Sequence, residues 1–235
     1  MKLCCLTILV FGLSTVSLSA QDAPALKTDK DKVSYGIGVE VARSFKSQGI
    51  DVDTDMVVKG LRDALAGQKL LMTDQELEAT INGLQQQLRQ KQIDARNAAS
   101  DSNKKASDAF LAANSKKDGV VTLPDGLQYK IEKSGTGKKP VDDDTVVCNY
   151  RGTLIDGTEF DSSYKSGQPA TFQVKAVIPG FREALELMPA GSTWQFFVPA
   201  ELAYGERGAG DAIGPNAALV FEIELISVTT AADKP

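Results

Sequence analysis

The chain has 235 residues, 42% of them hydrophobic and 24% charged, which suits one large or two modest globular domains. Its formal net charge of −5 gives no support to nucleic-acid binding, which ordinarily shows a basic face. There is no histidine, so Ser-His-Asp and Cys-His catalysis and any histidine-bearing zinc site are excluded.

Residues 1–20 have the layout of a secretory signal peptide: Lys2, an apolar stretch from Leu3 to Val16, then Ser17-Leu-Ser-Ala20 as a cleavage site. Leu18 at the −3 position leaves the cleavage point open by a few residues, and no cysteine follows the small residues to carry a lipid anchor. The apolar run is shorter than the roughly 20 residues a membrane span needs, so export is expected rather than anchoring. Of three cysteines, Cys4 and Cys5 lie in this run. Cys148 would stand alone in the mature chain, with no intramolecular disulfide available. Its strand-like neighbours Val146 and Val147 suggest a small core residue rather than a reactive thiol.

After a polar start, Val33, Ile37, Val41 and Phe45 recur every four residues and predict a first helix over 28–48, interrupted by Gly36 and Gly38 and stopped at Gly49. Asp53 or Thr54 can cap a second helix with Val57, Val58, Leu61 and Leu65 on its inner face, and Gly67 follows it. Both are too short to bury a core alone. A third helix opens with the capping-box pair Thr73 and Glu76 and meets no proline before about Lys117. Roughly 45 residues at about 1.5 Å each would make a rod of about 65 Å. Leu77, Ile81, Leu84 and Leu88 step by 4, 3 and 4, the seam of a coiled coil or bundle. Beyond Leu88 the apolar residues thin to Ile93, Ala98, Ala99, Ala106 and Ala109, which predicts a packed first half and an exposed, spacer-like second half. Two arrangements fit: a homodimer through residues 28–90, or an intramolecular three-helix domain with a helical linker. The apolar surface exceeds what such small helices could cover themselves, which favours the dimer.

Leu123-Pro-Asp-Gly126 is turn chemistry, and beyond it the pattern changes to short β-like runs: 127–132, 145–154, 159–162, 170–174, 194–198 and 218–228. The last alternates around Phe221, Ile223, Leu225 and Ser227. Asp156-Gly157 reads as a two-residue hairpin turn. One short helix begins after Pro179-Gly180, runs through Phe181, Ala184, Leu185 and Met188, and ends at Pro189-Ala-Gly191. Antiparallel strands with one amphipathic helix make an α+β domain. Phe160 and Asp161 set a carboxylate beside an aromatic ring, and further aromatic residues follow at Phe172, Phe181, Tyr204 and Phe221. Together they point to an apolar cleft holding one carboxylate and one phenol. Trp194 and Phe196 read as plain core aromatics. The glycines at 205, 208, 210 and 214 lack the strand-to-helix switch and Lys-Ser/Thr of a phosphate loop, and suit a mobile loop between Tyr204 and Ile213.

The segments Y-R-G-T-L-I-D-G-T-E-F-D-S-S-Y (150–164), V-I-P-G-F-R-E-A-L-E-L-M-P-A-G (177–191) and L-A-Y-G-E-R-G-A-G-D-A-I-G-P-N-A-A-L-V-F-E-I-E-L (202–225) resemble the FKBP-type peptidyl-prolyl cis-trans isomerases, collinearly from about Leu127 to Val228. The helical N-terminal half resembles, by architecture, the branch of macrophage infectivity potentiator and FkpA. These readings divide the chain into a signal peptide (1–20), a helical dimerisation region (21–72), a long connecting helix (73–118) and a C-terminal domain (119–235), which the resemblance implies is an FKBP domain. In that domain a half-wrapped antiparallel sheet of five or six strands would embrace one short helix.

The resemblance also implies a shallow apolar prolyl pocket, with Asp161, Tyr204, Tyr150 and Phe160 as its catalytic set. Phe172, Val177, Ile178, Phe181, Ile213 and Phe221 would bind substrate. Phe181 stands where the family most often has tryptophan, and Ala170 where an aromatic is frequent; both suggest a looser pocket. The backbone N–H of Ile178 and the hydroxyl of Tyr204 would hold substrate carbonyls, and Asp161 would orient Tyr150 or border the twisted carbonyl. No metal and no cofactor are called for.

Two functions from different classes follow: an exported prolyl isomerase acting on proline-containing unfolded or partly folded envelope proteins, or a dimeric holdase chaperone clamping such clients with little turnover. A surface protein binding host matrix is a third reading, resting on the branch resemblance alone. The implied setting is the periplasm of a Gram-negative bacterium, or association with its outer membrane, and rapamycin-type macrolides would be inhibitors.

Overall fold

The computed structural model describes residues 26–230, so the expected signal peptide lies outside the described residues. The chain divides into two compact units, one up to Glu78 and one from Ala79 onward.

The first unit holds α1 (Asp29–Gln48) and α2 (Thr54–Leu65), and α3 (Asp74–Asn114) begins in it. Their ends follow the capping residues. The Thr28 hydroxyl accepts from Asp31 N–H while the Asp31 carboxylate accepts from Thr28 N–H, a reciprocal pair that closes two orphan donors. Gly49 ends α1 at φ 63°, a left-handed conformation that costs glycine nothing. Asp53 caps α2, and Thr73 with Glu76 opens α3 as their spacing predicts. Within a single chain the apolar faces of these helices stay open: Ile37 is 61% exposed, Leu61 59% and Leu65 81%.

The second unit is built on a seven-stranded antiparallel sheet in the order β1-β2-β6-β7-β3-β4, with β5 also paired to β3. Its strands are β1 (Val120–Thr122), β2 (Gln128–Lys133), β3 (Thr145–Leu154), β4 (Glu159–Ser162), β5 (Ala170–Gln173), β6 (Thr193–Val198) and β7 (Leu219–Thr229). Six correspond to the predicted runs; the three-residue β1 was not foreseen, and it adds an edge to the expected five or six strands. β3 is long enough to take β5 along its first half, through Thr145–Cys148, and β4 along its second, through Arg151–Thr153. That division curls the sheet around α4 (Pro179–Leu187), whose buried face carries Gly180, Phe181, Ala184 and Leu185. A side chain on Gly180 would run into Val198 and Leu202, so the helix can lie this close only with glycine there. Leu127, Val146, Val174, Leu185, Met188, Phe196, Leu219, Ile223 and Leu225 complete a fully buried core.

Two local expectations are corrected. The β3–β4 turn is not a two-residue primed hairpin: Gly157 N–H donates to Leu154 O, Leu154 N–H donates to Thr158 O, and only Gly157 takes a positive φ, 89°. This is a three-residue loop closed by glycine, with Asp156 accepting from Thr158 N–H in place of a second positive φ. The β7 alternation stops at Leu225, because a register shift opposite Val147/Cys148 leaves Ile226 outside the pairing and 43% exposed. Cys148 is fully buried, and burial pushes its thiol up to about 12, so it is an inert core residue.

The largest correction concerns α3. Its second half is not a solvated spacer but is bound to the outer face of the sheet: Phe110 packs on Phe197 at 5.9 Å, and Ser107 and Asn114 are 5% and 1% exposed. The Asn114 amide donates to Gln128 Oε1, and the Gln128 amide donates to Leu111 O, both at 2.9 Å. Polar side chains dock well when they satisfy backbone or amide groups that would otherwise be buried unpaired.

Asp125, in the turn before β2, faces Glu183 of α4. Burial first, then the hydrogen bond and charge of Asp125, push the Glu183 carboxyl up to about 7 from 4.5. A carboxyl with a raised pKa holds its proton more tightly when folded, so its contribution falls as pH rises from about 4.5 to about 7. The melting temperature should therefore decline across that window, and Glu183→Gln should flatten the decline and raise melting at pH 8. A decline as steep in the variant as in the parent would show that another group carries it.

Candidate active site

The cleft lies where the curled sheet meets the start of α4. It encloses about 200 Å³ and is lined by Tyr150, Phe160, Asp161, Phe172, Ala176, Val177, Ile178, Phe181, Tyr204 and Phe221. Five elements converge on it. β3 brings Tyr150, β4 brings Phe160 and Asp161, β5 brings Phe172, α4 brings Phe181, and β7 brings Phe221. Phe181 is the hub. Its ring meets Phe221 at 5.1 Å, Phe172 at 5.8 Å and Tyr150 at 6.0 Å, while Tyr150 meets Phe172 at 5.4 Å and Phe160 meets Phe221 at 5.7 Å. All five pairs are edge-to-face, the geometry in which ring quadrupoles attract. Phe181 is only 4% exposed, flanked on its sides by the other rings.

Polar groups are few and fixed. The Tyr150 hydroxyl donates to Asp161 Oδ2 at 2.6 Å, and Asp161 Oδ1 accepts from Ser162 N–H at 2.9 Å, so both carboxylate oxygens are engaged. Burial, followed by the hydrogen bond to Asp161, drives the Tyr150 phenol above the ordinary tyrosine range, and it stays protonated at any working pH. Tyr150 N–H donates to the hydroxyl of the buried Ser163, which fixes the backbone behind the ring. Ile178 precedes α4, whose first position is Pro179, and among the described residues no group accepts from the Ile178 N–H. It is an open donor in the pocket wall. Tyr204 stands at the rim, 38% exposed.

Nine of the ten residues expected at the site come together here. Ile213 does not line the cleft: it is 6% exposed, packs into the core, and its backbone pairs with Ala209. Trp194 and Phe196 lie in the core and outside the cleft, as read. Ala176 was missed, being a small residue with no chemistry of its own to mark it. Gly152 was also missed. It sits opposite Asp161 in β4 and Phe221 in β7, and a Cβ placed on it would fall 2.6 Å from Phe160 Cζ and 2.9 Å from Phe221 Cε1. A glycine inside a strand signals close approach of another group, and that was the available clue.

A curled antiparallel sheet embracing one short helix, with an aromatic box whose one carboxylate is tied to a tyrosine, defines an FKBP-type peptidyl-prolyl isomerase domain. Residues 136–226 match the family described as FKBP-type peptidyl-prolyl cis-trans isomerase, and residues 30–131 match the domain amino terminal to it. The chain is 51% identical to the outer membrane protein MIP of Legionella longbeachae, covering 99% of this chain and 100% of that one. It is 45% identical to the peptidyl-prolyl cis-trans isomerase Mip of Coxiella burnetii, covering 97% and 99%. The crystal structure of FkpA from Escherichia coli superimposes with a TM-score of 0.70 at 37% identity, covering 88% of this chain and all of that one. The chain belongs to the Mip/FkpA branch of the FKBP-type peptidyl-prolyl cis-trans isomerases, and it is a peptidyl-prolyl isomerase.

Proposed function

We propose that the protein is exported and speeds X-Pro isomerisation in folding envelope proteins, by noncovalent stabilisation of a twisted amide in this cleft. The observation that carries the reading is the edge-to-face box beside the open Ile178 N–H. Rotation about an X-Pro bond faces a barrier of ~20 kcal/mol because the amide must lose its resonance. The twisted amide is less charge-separated than the planar one, so an apolar enclosure favours it over the ground state.

Phe181 forms the floor under the prolyl ring, with Tyr150, Phe160, Phe172 and Phe221 as walls. Ile178 N–H and the Tyr204 hydroxyl hold substrate carbonyls, and Asp161 keeps the Tyr150 ring in place. No proton is moved and no bond to protein forms. Cis-trans exchange of a short Ala-Leu-Pro-Phe peptide, with and without rapamycin, tests this. Acceleration blocked by the macrolide is expected, and Asp161→Leu and Tyr204→Phe should each slow exchange by about tenfold through lost positioning and hydrogen bonding. An unchanged rate in both variants would remove the pocket assignment.

The open apolar faces on α1 and α2 support a homodimer formed through residues 28–90, since exposed rows of this kind mark association surfaces. They equally favour the second reading, a holdase in which paired arms clamp clients. Deletion of residues 28–90 separates the two readings: peptide exchange should survive, whereas suppression of client aggregation should be lost if the arms clamp. The names of the relatives, together with the signal-like residues 1–20, support export to the envelope.

A further inference from the structure

The polar second half of α3 makes a regular seam against the loop that follows Tyr204. Arg96, Ser100, Asn103 and Ser107 step by 4, 3 and 4 and so share one helix face. Arg96 Nη2 donates to Glu206 O and Arg207 O, each at 3.1 Å, and Asn103 Nδ2 donates to Pro215 O at 2.9 Å. The Ser107 hydroxyl donates to Asn216 O at 3.1 Å and accepts from Ala218 N–H at 2.8 Å.

Asn216 is the node of this seam. It is the only non-glycine among the described residues with positive φ, 55°. Its side chain donates to Ser100 Oγ at 2.8 Å, and its N–H donates to Gly205 O at 2.9 Å, one residue from Tyr204. Gly208 N–H donates to Tyr204 O at 3.2 Å. Gly214 lies so close that a Cβ there would fall 2.7 Å from Asn103 Nδ2. An unusual backbone conformation persists when its surroundings over-determine it, and here the helix does so.

We propose that Arg96, Ser100, Asn103 and Ser107 are positioning residues of the prolyl pocket: by holding the backbone of residues 205–218 they fix Tyr204 at its rim. The isomerase domain is then incomplete without the second half of α3, which acts as a splint for the substrate-binding loop. This rests on the reading that Tyr204 meets the substrate.

The test is a double-mutant cycle in the full chain, with kcat and KM measured on a short Xaa-Pro peptide. The Arg96→Ala/Asn103→Ala variant should raise KM by about fivefold with kcat little changed, the pattern of lost uniform binding. Combined with Tyr204→Ala it should add nothing further, because groups that act through one residue are not additive. A double variant with the parent's KM, or a loss that multiplies with that of Tyr204→Ala, would overturn the inference while leaving the pocket intact. If Tyr204→Ala itself has no effect, the pocket reading falls and this inference with it. Arg96 is exposed, so Arg96→Ala alone gives the same comparison in a chain whose core is untouched.

Discussion

Replacing Gly152 by valine should lower kcat/KM for a short Xaa-Pro peptide by about a hundredfold, the scale on which roughly 1 Å misplacements act at a site that works by orientation. The glycine lies between two pocket aromatics, with Phe160 Cζ 2.6 Å and Phe221 Cε1 2.9 Å from where a Cβ would stand. Neither ring can yield freely: they pack edge-to-face on each other at 5.7 Å, and Phe221 also meets Phe181 at 5.1 Å. One of them must swing into the cleft or displace β4, and either closes the space for the prolyl ring. Overpacking of this kind typically destabilises by about 1–3 kcal/mol, so the chain should still fold. Binding of rapamycin should weaken in parallel. Full activity in folded Gly152→Val would mean that substrate does not enter between these rings.

Truncating Phe181 to alanine should cost about 3–5 kcal/mol of stability, the usual range for a buried phenylalanine. It should also reduce exchange by at least tenfold, as the floor of the site is removed. The comparison that gives this meaning is Phe196→Ala. Phe196 is fully buried but lies outside the cleft, so its loss should destabilise by a similar amount while the folded fraction keeps its turnover. Urea melts and peptide exchange on both variants distinguish a catalytic floor from a plain core aromatic. Equal turnover per folded molecule in the two variants would demote Phe181 to core.

Much of this molecule is legible in its residues. The caps at Thr28, Asp53 and Thr73, the stop at Gly49 and β3 and β4 to the residue follow from local chemistry, because a cap or a period-2 pattern acts within a few positions of itself. Nine of the ten expected site residues share one cleft because the motif carrying them is collinear and its sheet register is set by burial.

What the tertiary structure alone decides has a different physical character. The close approach at Gly152 depends on two strands far apart in sequence, and no local pattern specifies which rings will meet there. Ile213 looks like a pocket residue by position but is buried in the core, its backbone paired with Ala209. The second half of α3 is another case. Its Arg96, Asn103, Ser107 and Asn114 read as a solvated face because, in sequence, a hydrogen bond to water and one to a distant carbonyl look the same. The seam they form becomes visible only when Glu206, Arg207, Pro215, Asn216 and Gln128 are brought opposite. Apolar periodicity announces its own burial; polar periodicity does not, since its partners are chosen by the fold.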